Sequence, residues 1–320
     1  MRINIVTSLR ELEKLRPLWE SIRKAGRGTI FQDFDWNLLA AEKFGDRETL
    51  LVLSAVSSYG VAIVPAAVRL RDHSLRMLGE ELFDYRSCLH DGDEDVLCQA
   101  LATLAQAGAP LEVVAVRECD RCAPLEDLEL APFTAAPSVN QADTTAEQFA
   151  AMHNRLGRNL RRFQRQGFEV RAYNGEHSAL LRSIYERKAA HGPNSLFHDP
   201  LRAEFMVEAA RIRANSCEIF TLEAGSQLAA ALVTFRDDVV RRFYTCYFCA
   251  EFAKLSPSMT LIHEVTRQSL ASGLDCDYMT GEQGYKLRLA TGSMPLYKLK
   301  ATSQQLAALT EKVSALPIAV

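Results

Sequence analysis

Residues 50–70 read LLVLSAVSSYGVAIVPAAVRL: an apolar run, a polar turn that ends at Gly60, and a second apolar run. Two strand-like runs joined by a short turn containing glycine predict a β-hairpin. Residues 218–235 read EIFTLEAGSQLAAALVTF and repeat this pattern around Gly225. The chain is therefore expected to contain two hairpins of the same kind, one in each half.

The likeness between the halves extends beyond the hairpins. Each hairpin precedes an amphipathic helix that ends in glycine, Gly108 in the first half and Gly273 in the second, and then a further strand. Gly60 and Gly108 are separated by 48 positions, as are Gly225 and Gly273. Equal spacing at matched structural points predicts an internal duplication. We expect an α+β fold of two units, each with a mainly antiparallel sheet flanked by helices, because adjacent hairpins without regular βαβ alternation disfavour a Rossmann domain or TIM barrel.

The expected boundary between the units follows a change in sequence character. Between residues 119 and 143, three prolines occur among small and acidic residues with little periodicity, which is typical of a connection. We therefore predict a first unit at 1–118, a linker at 119–143 and a second unit at 144–320.

Composition and charge narrow the classes of function. The 320 residues carry a formal net charge of -3, so an anionic partner would have to be held by a local patch. The N-terminus lacks an apolar core of signal-peptide length, and the longest apolar run, residues 60–68, is too short to span a bilayer. These features predict a cytoplasmic protein without a membrane span.

The cysteines raise the question of a metal site. Cys119 and Cys122, and likewise Cys246 and Cys249, have the short spacing of metal or redox pairs. More than a hundred residues separate the two pairs, unlike the spacing of ribbon-type zinc sites. We therefore predict no metal, and we interpret the cysteines as mostly small buried residues.

A candidate anion site opens the helix after the second hairpin, where the sequence from Ser256 reads SPSMTL. Proline suits the first turn of a helix, and Ser256 can cap it. The backbone amides of Ser258, Met259 and Thr260 would then point at a phosphate from the positive end of the helix dipole. An ordinary capped helix is the alternative. The corresponding loop of the first half, residues 90–95, reads HDGDED and would repel a phosphate, so only the second unit is expected to hold an anionic cofactor.

A second candidate anion-binding feature is a row of arginines on the helix after residue 145. The arginines recur at spacings of three and four, with one more beside them: Arg155, Arg158, Arg161, Arg162 and Arg165. Guanidinium groups match the oxygens of phosphate and carboxylate, so we select Arg158, Arg161 and Arg162 as candidate substrate-binding residues. A solvated helix face is the alternative.

Candidate catalytic residues follow the last strand of the repeat, where the sequence from Glu282 reads EQGYK. Glu282 can take a proton from an amine nucleophile, and Tyr285 can donate one to a leaving thiolate. Lys286 can hold a phosphate or carboxylate. A polar loop with an internal ion pair is the alternative. His198 and Asp199 form a further candidate pair, a base and its orienter, although the same residues are also typical of a turn.

These segments together resemble the GNAT-fold N-acyltransferases. They are most similar to bacterial acetyltransferases associated with cellulose or exopolysaccharide biosynthesis and to the related Fem peptidyltransferases. The resemblance rests on short segments in matching order across most of the chain, at residues 31–36, 62–65, 78–85, 158–167, 197–200, 228–231, 256–261 and 281–286.

The resemblance implies two GNAT-like halves with the acyl donor on the second. It implies that the donor is acetyl-coenzyme A or another acyl-coenzyme A, whose pyrophosphate contacts the backbone amides of residues 256–261. The expected reaction transfers the acyl group to an amine or hydroxyl of a sugar or small metabolite, and the resemblance implies polysaccharide biosynthesis as its setting. Asp84 and Tyr85, which lie in one of the matching segments, are further candidate substrate-binding residues.

Two alternative functions remain open at the level of sequence. A Fem-like transferase would take its acyl group from aminoacyl-tRNA, and its binding would be sensitive to salt. The chain has no inserted coiled-coil pattern of the kind found in many Fem proteins, which favours a thioester donor. A non-catalytic binding protein of a polysaccharide assembly system would bind its ligand without acyl transfer.

Overall fold

The computed structural model describes residues 1–25, 28–79, 81–190, 192 and 194–315, with side chains described through residue 310. Two compact units are present. Unit 1 comprises Met1–Thr134 together with the segment from Pro295 onward, and unit 2 comprises Ala135–Met294.

The helices and strands follow one another in a mixed order. Unit 1 contains β1 (Arg2–Val6), α1 (Leu9–Lys14), α2 (Arg16–Ala25), α3 (Phe34–Lys43), β2 (Glu48–Val56), β3 (Gly60–Arg69), β4 (Leu75–Met77), β5 (Leu89–Gly92), α4 (Glu94–Thr103), β6 (Leu111–Arg117) and α5 (Ala123–Asp127). The strand β7 (Ala131–Val139) leads into unit 2, which contains α6 (Ala146–Met152), α7 (Asn154–Arg165), β8 (Glu169–Asn174), α8 (Ser178–Ala190), α9 (Pro200–Ile212), β9 (Cys217–Ala224), β10 (Gln227–Asp237), β11 (Val240–Phe248), α10 (Pro257–Ala271), β12 (Asp275–Asp277) and α11 (Gly284–Leu289). The strand β13 (Gly292–Ala301) returns the chain to unit 1, where α12 (Ser303–Ala315) follows.

Both predicted hairpins are present. The strands β2 and β3 pair antiparallel up to Val56 opposite Val61, and β9 and β10 pair antiparallel up to Ala224 opposite Gln227. In the first turn, the Ser57 side chain accepts hydrogen bonds from the backbone amides of Tyr59 and Gly60. A Cβ atom at Gly60 would lie 2.7 Å from the backbone nitrogen of Asp93, so the close approach of the chain requires glycine there.

The predicted duplication is visible in the topology of the two units. Gly108 and Gly273 both adopt left-handed backbone conformations, with φ of 66° and 75°, shortly after the helices they were predicted to end. In each unit the strand that follows pairs parallel with an earlier strand, β6 with β4 and β12 with β11. Most other pairs are antiparallel, so the predicted fold class of mainly antiparallel sheets flanked by helices is confirmed.

The unit boundaries differ from those predicted from the sequence. The expected linker at 119–143 contains a helix and a strand, α5 and β7. Its prolines are compatible with both elements, since Pro124 lies in the first turn of α5. Residues 295–301 were assigned to the second unit but belong to unit 1, where the β13 segment from Leu296 to Ala301 pairs with β6. The predicted range also includes residues 316–320, which lie outside the described part of the chain.

Each unit has its own hydrophobic core. In unit 1, α4 and α12 cover one face of the sheet around residues such as Leu97, Leu101 and Leu306, and the helices α1 to α3 cover the other around Trp19 and Phe34. In unit 2, the core lies between the sheet and the helices α6, α7 and α10. Within the described residues, no helix is both long and apolar enough to cross a membrane.

Candidate active site

The sheet of unit 2 opens between two neighbouring strands. The parallel pairing of β11 with β12 consists of three residue pairs, the last being Arg242 with Asp277. Beyond that pair the chain follows β7 instead, because the amide of Tyr278 donates to the Pro137 carbonyl and the amide of Gly281 donates to the Ala135 carbonyl, both at 2.9 Å. After Arg242, β12 therefore no longer pairs with β11. The side of β11 that faced β12, from Phe243 to Phe248, is called the open edge below.

A β-bulge lies at the start of this open edge. On the other side of β11, Phe243 pairs with Thr234 and Thr245 pairs with Val233, so the register with β10 shifts at Tyr244. A bulge of this kind bends its strand and changes the direction of nearby backbone groups. The open edge of β11 and its bulge together provide backbone donors and acceptors for an extended ligand.

A buried ion-pair network holds the closed end of the β11–β12 pair. The Arg242 side chain donates from Nε to Asp237 Oδ2 at 2.6 Å and also contacts the Asp277 carboxylate from its Nη1. Asp277 Oδ1 in turn accepts the amide of Met279 at 2.7 Å. Arg242 and Asp277 are only 6% and 7% exposed, so this network fixes the point at which the two strands separate.

The open edge leads to the N-terminus of α10. Pro257 occupies the first turn as predicted, but the Ser256 side chain does not cap the helix. Ser256 instead has a left-handed backbone, with φ of 50°. The amides of Ser258 and Met259 consequently have no side-chain cap, whereas the amide of Thr260 donates to the Ser256 carbonyl at 2.9 Å.

The carbonyl of Leu255, just before this helix, is held from two sides. Asn159 of α7 donates to it through Nδ2 at 2.9 Å, and the Thr260 hydroxyl donates to it at 3.2 Å. Asn159 is buried beside the apolar face of α7. The sequence analysis did not select Asn159. A polar residue between Leu156 and Leu160 on a core-facing surface does, however, indicate a buried hydrogen bond.

The predicted acid Tyr285 lies at the open edge. Its hydroxyl oxygen is 4.0 Å from Sγ of Cys246, which belongs to the part of β11 that follows the bulge. Both residues are partly buried and pack against the core of unit 2, as does Met259 from the first turn of α10. Tyr285 of α11 therefore lies next to the part of β11 that follows its separation from β12.

Lys286, the candidate for holding a phosphate or carboxylate, lies in a buried position. Its side chain is 8% exposed, and its ammonium group donates to the carbonyls of Met279 and Thr280 at 3.1 and 2.7 Å. These bonds brace the segment in which Met279 has a left-handed φ of 66°. The predicted base Glu282 is exposed on the turn just before α11.

The predicted pair His198 and Asp199 forms a helix start. Asp199 caps α9 by accepting the amide of Leu201 at 3.0 Å, and it lies 3.6 Å from the Arg202 guanidinium. The His198 ring nitrogen Nε2 is 2.8 Å from the carbonyl of Gly192. The two side chains thus contact different partners, and the turn that was weighed as the alternative is present.

The candidates Asp84 and Tyr85 lie in unit 1, where Tyr85 is a core residue. Its ring is fully buried and packs edge-on against Phe31, with centroids 5.8 Å apart. Its carbonyl accepts a hydrogen bond from Gln32 at 2.9 Å. A ring held in this way stabilises unit 1, and a substrate cannot contact it without rearrangement of the core.

The acidic loop of unit 1, which was expected to repel a phosphate, supplies the cap of the helix that follows it. Asp93 caps α4 with its carboxylate, which accepts the amide of Asp95 at 3.0 Å. Burial and the neighbouring Asp93 raise the pKa of Asp95. A carboxylate already occupies the position that a phosphate would take at this helix start.

Metal binding has no support in the described residues, which contain no group of three or more histidine, cysteine or acidic side chains suited to an ion. Burial raises the pKa of Cys122 to about 12 and that of Cys276 to about 12. These thiols stay protonated at neutral pH, which fits small core residues.

A buried histidine on α10 makes the stability of unit 2 dependent on pH. His263 is 2% exposed, stacks on Phe149 of α6, and has neither ring nitrogen hydrogen-bonded in the described structure. Burial lowers its pKa to about 4, with the nearby His153 and Arg267 adding to the effect and Glu264 opposing it. The folded protein therefore binds a proton at His263 less readily than the unfolded chain does.

We expect wild-type stability to fall as the pH decreases from about 6.5 toward 4, because the unfolded chain then binds a proton that the folded chain excludes. The depressed pKa of His263 corresponds to a loss of up to about 3 kcal/mol. Urea denaturation at pH 7 and pH 5 measures the part of this loss that falls between those values, about 2 kcal/mol. The variant His263→Phe keeps the stack on Phe149 and should show a clearly smaller loss; an equal loss in both proteins would contradict the assignment.

Comparison with known proteins shows that most of unit 2 is similar to the GNAT acetyltransferase domain. Residues 150–287 match the model of the GNAT acetyltransferase domain. This range lies within unit 2 and contains the open strand edge, α10 and Tyr285. A comparison with curated proteins found no match.

Solved structures of similar fold cover almost the whole chain. One is the C-terminal domain of a proposed lysylphosphatidylglycerol synthetase from Agrobacterium fabrum, with 12% identity, a TM-score of 0.60, and coverage of 98% of this chain and 99% of that one. FemX shares 11% identity at a TM-score of 0.57, with coverage of 97% and 100%. A tandem GNAT protein from the clavulanic acid biosynthesis pathway shares 8% identity at a TM-score of 0.53, with coverage of 94% and 98%. At these identities the likeness establishes the GNAT acyltransferase fold rather than a particular substrate.

Proposed function

We propose that this protein transfers an acetyl or other acyl group from a coenzyme A thioester to an amine or hydroxyl acceptor. The single observation that carries the proposal is the separation of β11 from β12 after Arg242, which leaves a strand edge that leads to the start of α10. The acceptor is a sugar or small metabolite, and the resemblance to acetyltransferases of exopolysaccharide biosynthesis supports polysaccharide synthesis as the setting.

The chemistry of acyl-coenzyme A suits this geometry. Its pantetheine arm carries amide groups along an extended chain, and such a chain can pair with an open strand edge as an added strand does. Its pyrophosphate requires hydrogen-bond donors and a positive potential, which the amides of Ser258 and Met259 and the dipole of α10 supply. The thioester then lies along β11 near the bulge at Tyr244, within reach of Tyr285.

The reaction needs a deprotonated nucleophile and a proton for the leaving group. The acceptor nitrogen or oxygen attacks the thioester carbon, the carbon–sulfur bond breaks, and the thiolate accepts a proton. We assign the donation of that proton to Tyr285, because its hydroxyl reaches the open edge beside Cys246. Glu282 is the proposed base, since it lies on the adjacent exposed turn and the attacking group loses one proton. Positioning of the two substrates contributes the remaining acceleration.

Filling the open edge with a bulky side chain tests donor binding directly. Calorimetric titration of the wild-type protein with acetyl-coenzyme A should show binding in the micromolar range. The variant Cys246→Trp places an indole where the pantetheine arm is expected, and it should weaken binding at least about tenfold through steric exclusion.

The matched control is Cys119→Trp, which makes the same change at an exposed cysteine of unit 1. It should bind acetyl-coenzyme A as the wild type does. Circular dichroism establishes that both variants are folded. Absence of binding to the folded wild type would contradict the proposal and make aminoacyl-tRNA the next donor to titrate.

A further inference from the structure

The helix α7 carries a concentrated positive surface that the proposed reaction does not use. Its twelve residues include five arginines and no acidic residue: Arg155, Arg158, Arg161, Arg162 and Arg165. All five side chains are exposed. Asn159, which hydrogen-bonds to the Leu255 carbonyl just before α10, lies on the buried part of α7 rather than among the exposed arginines.

The arginines of α7 can be compared with other surface arginines of the same chain. Some exposed guanidinium groups elsewhere lie close to carboxylates, as for Arg182 with Glu204 at 3.0 Å and Arg171 with Glu223 at 3.1 Å. Within the described residues, none of the five on α7 forms an ion pair. The chain contains more acidic than basic residues, so acidic partners are not scarce. The positive charge of α7 therefore remains available to an external anion.

The five arginines also share one side of the helix. At about 100° per residue, they fall within a sector of about 120°, opposite the buried face formed by Leu156, Leu160 and Phe163. They extend over about 15 Å along the axis, at about 1.5 Å per residue. The result is a broad, one-sided cationic surface rather than a pocket for a single phosphate.

We propose that the α7 arginine surface binds the anionic headgroups of a lipid bilayer and so docks the protein peripherally on a membrane. Clusters of this size on one face of an amphipathic helix are attracted by the negative potential of anionic lipids. The apolar face of α7 is buried in the core of unit 2, so the attraction is electrostatic and involves no insertion of the helix. This inference is independent of the proposed acyl transfer.

The composition of α7 favours a bilayer over a nucleic acid. Proteins that bind single-stranded nucleic acid combine basic residues with exposed aromatic rings on which bases stack. The one aromatic residue of α7, Phe163, is fully buried and packs against Phe168 and Phe252. The α7 surface thus offers charge without a platform for bases.

Flotation with vesicles of phosphatidylcholine, with and without phosphatidylglycerol, tests the inference. The wild-type protein should float only with vesicles that contain phosphatidylglycerol, and added salt should release it. The combined variant Arg155→Gln, Arg158→Gln, Arg162→Gln and Arg165→Gln should lose most of this binding, at about fivefold for each charge removed. Glutamine is a good helix former, and circular dichroism checks that the variant is folded.

The matched control removes four positive charges elsewhere on the surface. Arg10→Gln, Lys24→Gln, Lys298→Gln and Lys300→Gln change exposed side chains of unit 1 by the same total charge. This variant should float nearly as the wild type does. Equal loss in both variants, or no flotation of the wild type, would overturn the inference. Binding of a labelled single-stranded RNA through the same arginines without vesicle binding would also overturn it and identify a nucleic-acid partner instead.

Discussion

Replacing Tyr285 with phenylalanine is expected to lower kcat for acyl transfer about 100-fold, because proton transfer by a positioned side chain typically contributes a factor of this order or more. The change removes one oxygen and keeps the ring that packs against the core of unit 2. KM for acetyl-coenzyme A should change little, since Tyr285 acts on the leaving group rather than on the bound donor. Steady-state kinetics with an amine acceptor, once one is identified, separates the two parameters.

Tyr173→Phe is the matched control for this prediction. Tyr173 lies on β8, at the opposite edge of the unit 2 strand order from β12, and its hydroxyl donates to Glu223 at 2.6 Å. Its replacement should leave kcat within about twofold of the wild type. A Tyr285→Phe enzyme with unchanged kcat would remove Tyr285 from the chemistry, and an increase confined to KM would make it a donor-binding residue.

Replacing Arg242 with methionine is expected to destabilise unit 2 by about 3–5 kcal/mol, because two carboxylates then remain buried without their cationic partner. Asp237 and Asp277 both contact this guanidinium, and each is largely buried. Chemical denaturation, monitored by a signal from unit 2, measures the loss. Arg211→Met, which breaks an exposed pair with Glu208, should cost less than about 1 kcal/mol.

A compensating variant distinguishes loss of the ion pairs from loss of packing. Adding Asp237→Asn and Asp277→Asn to Arg242→Met removes the unpaired charges, and it should recover a large part of the lost stability. An asparagine at position 277 can still accept the amide of Met279, a bond that the wild-type carboxylate makes at 2.7 Å. If the triple variant is less stable than Arg242→Met alone, the account of the network as charge compensation is wrong.

The hairpins and the duplication were predictable because they depend on local signals. The turn at Gly60 and the left-handed glycines Gly108 and Gly273 mark positions where the backbone itself requires glycine. The amino-acid sequence alone is therefore enough to predict a turn or a helix end at these positions. The positions of the helix after each hairpin and of the strand after it followed from the same spacing. The acidic cap of α4 was equally readable, since Asp93 stands directly before the helix.

The boundary errors arose where long-range pairing decided the structure. Nothing local distinguishes a strand at 296–301 that pairs with β6 from one that stays with its sequence neighbours in unit 2. The predicted linker contains β7, whose partner β12 is more than a hundred residues away in sequence. Contacts of such separation are set by tertiary packing, which local propensity does not determine.

The candidate site could be predicted only in part from the sequence, because tertiary packing also decides which groups its side chains contact. Tyr285 was selected from its place in the sequence, and the fold brings it to the open edge beside Cys246. The contacts of individual side chains were not predictable: Lys286 donates to the carbonyls of Met279 and Thr280, and the Ser256 side chain does not cap the helix it precedes. The backbone is left-handed at both Met279 and Ser256, and sequence patterns seldom predict this conformation at residues other than glycine.

Hydrogen exchange with and without acetyl-coenzyme A tests most directly the claim that the donor lies along β11. The account predicts that the donor slows exchange in residues 243–248 and at the amides of Ser258 and Met259, and that Cys246→Trp abolishes this protection. The corresponding segments of unit 1, residues 89–95, should exchange equally in both conditions. Binding of acetyl-coenzyme A without protection of the β11 edge, or with protection in unit 1 instead, would contradict the account.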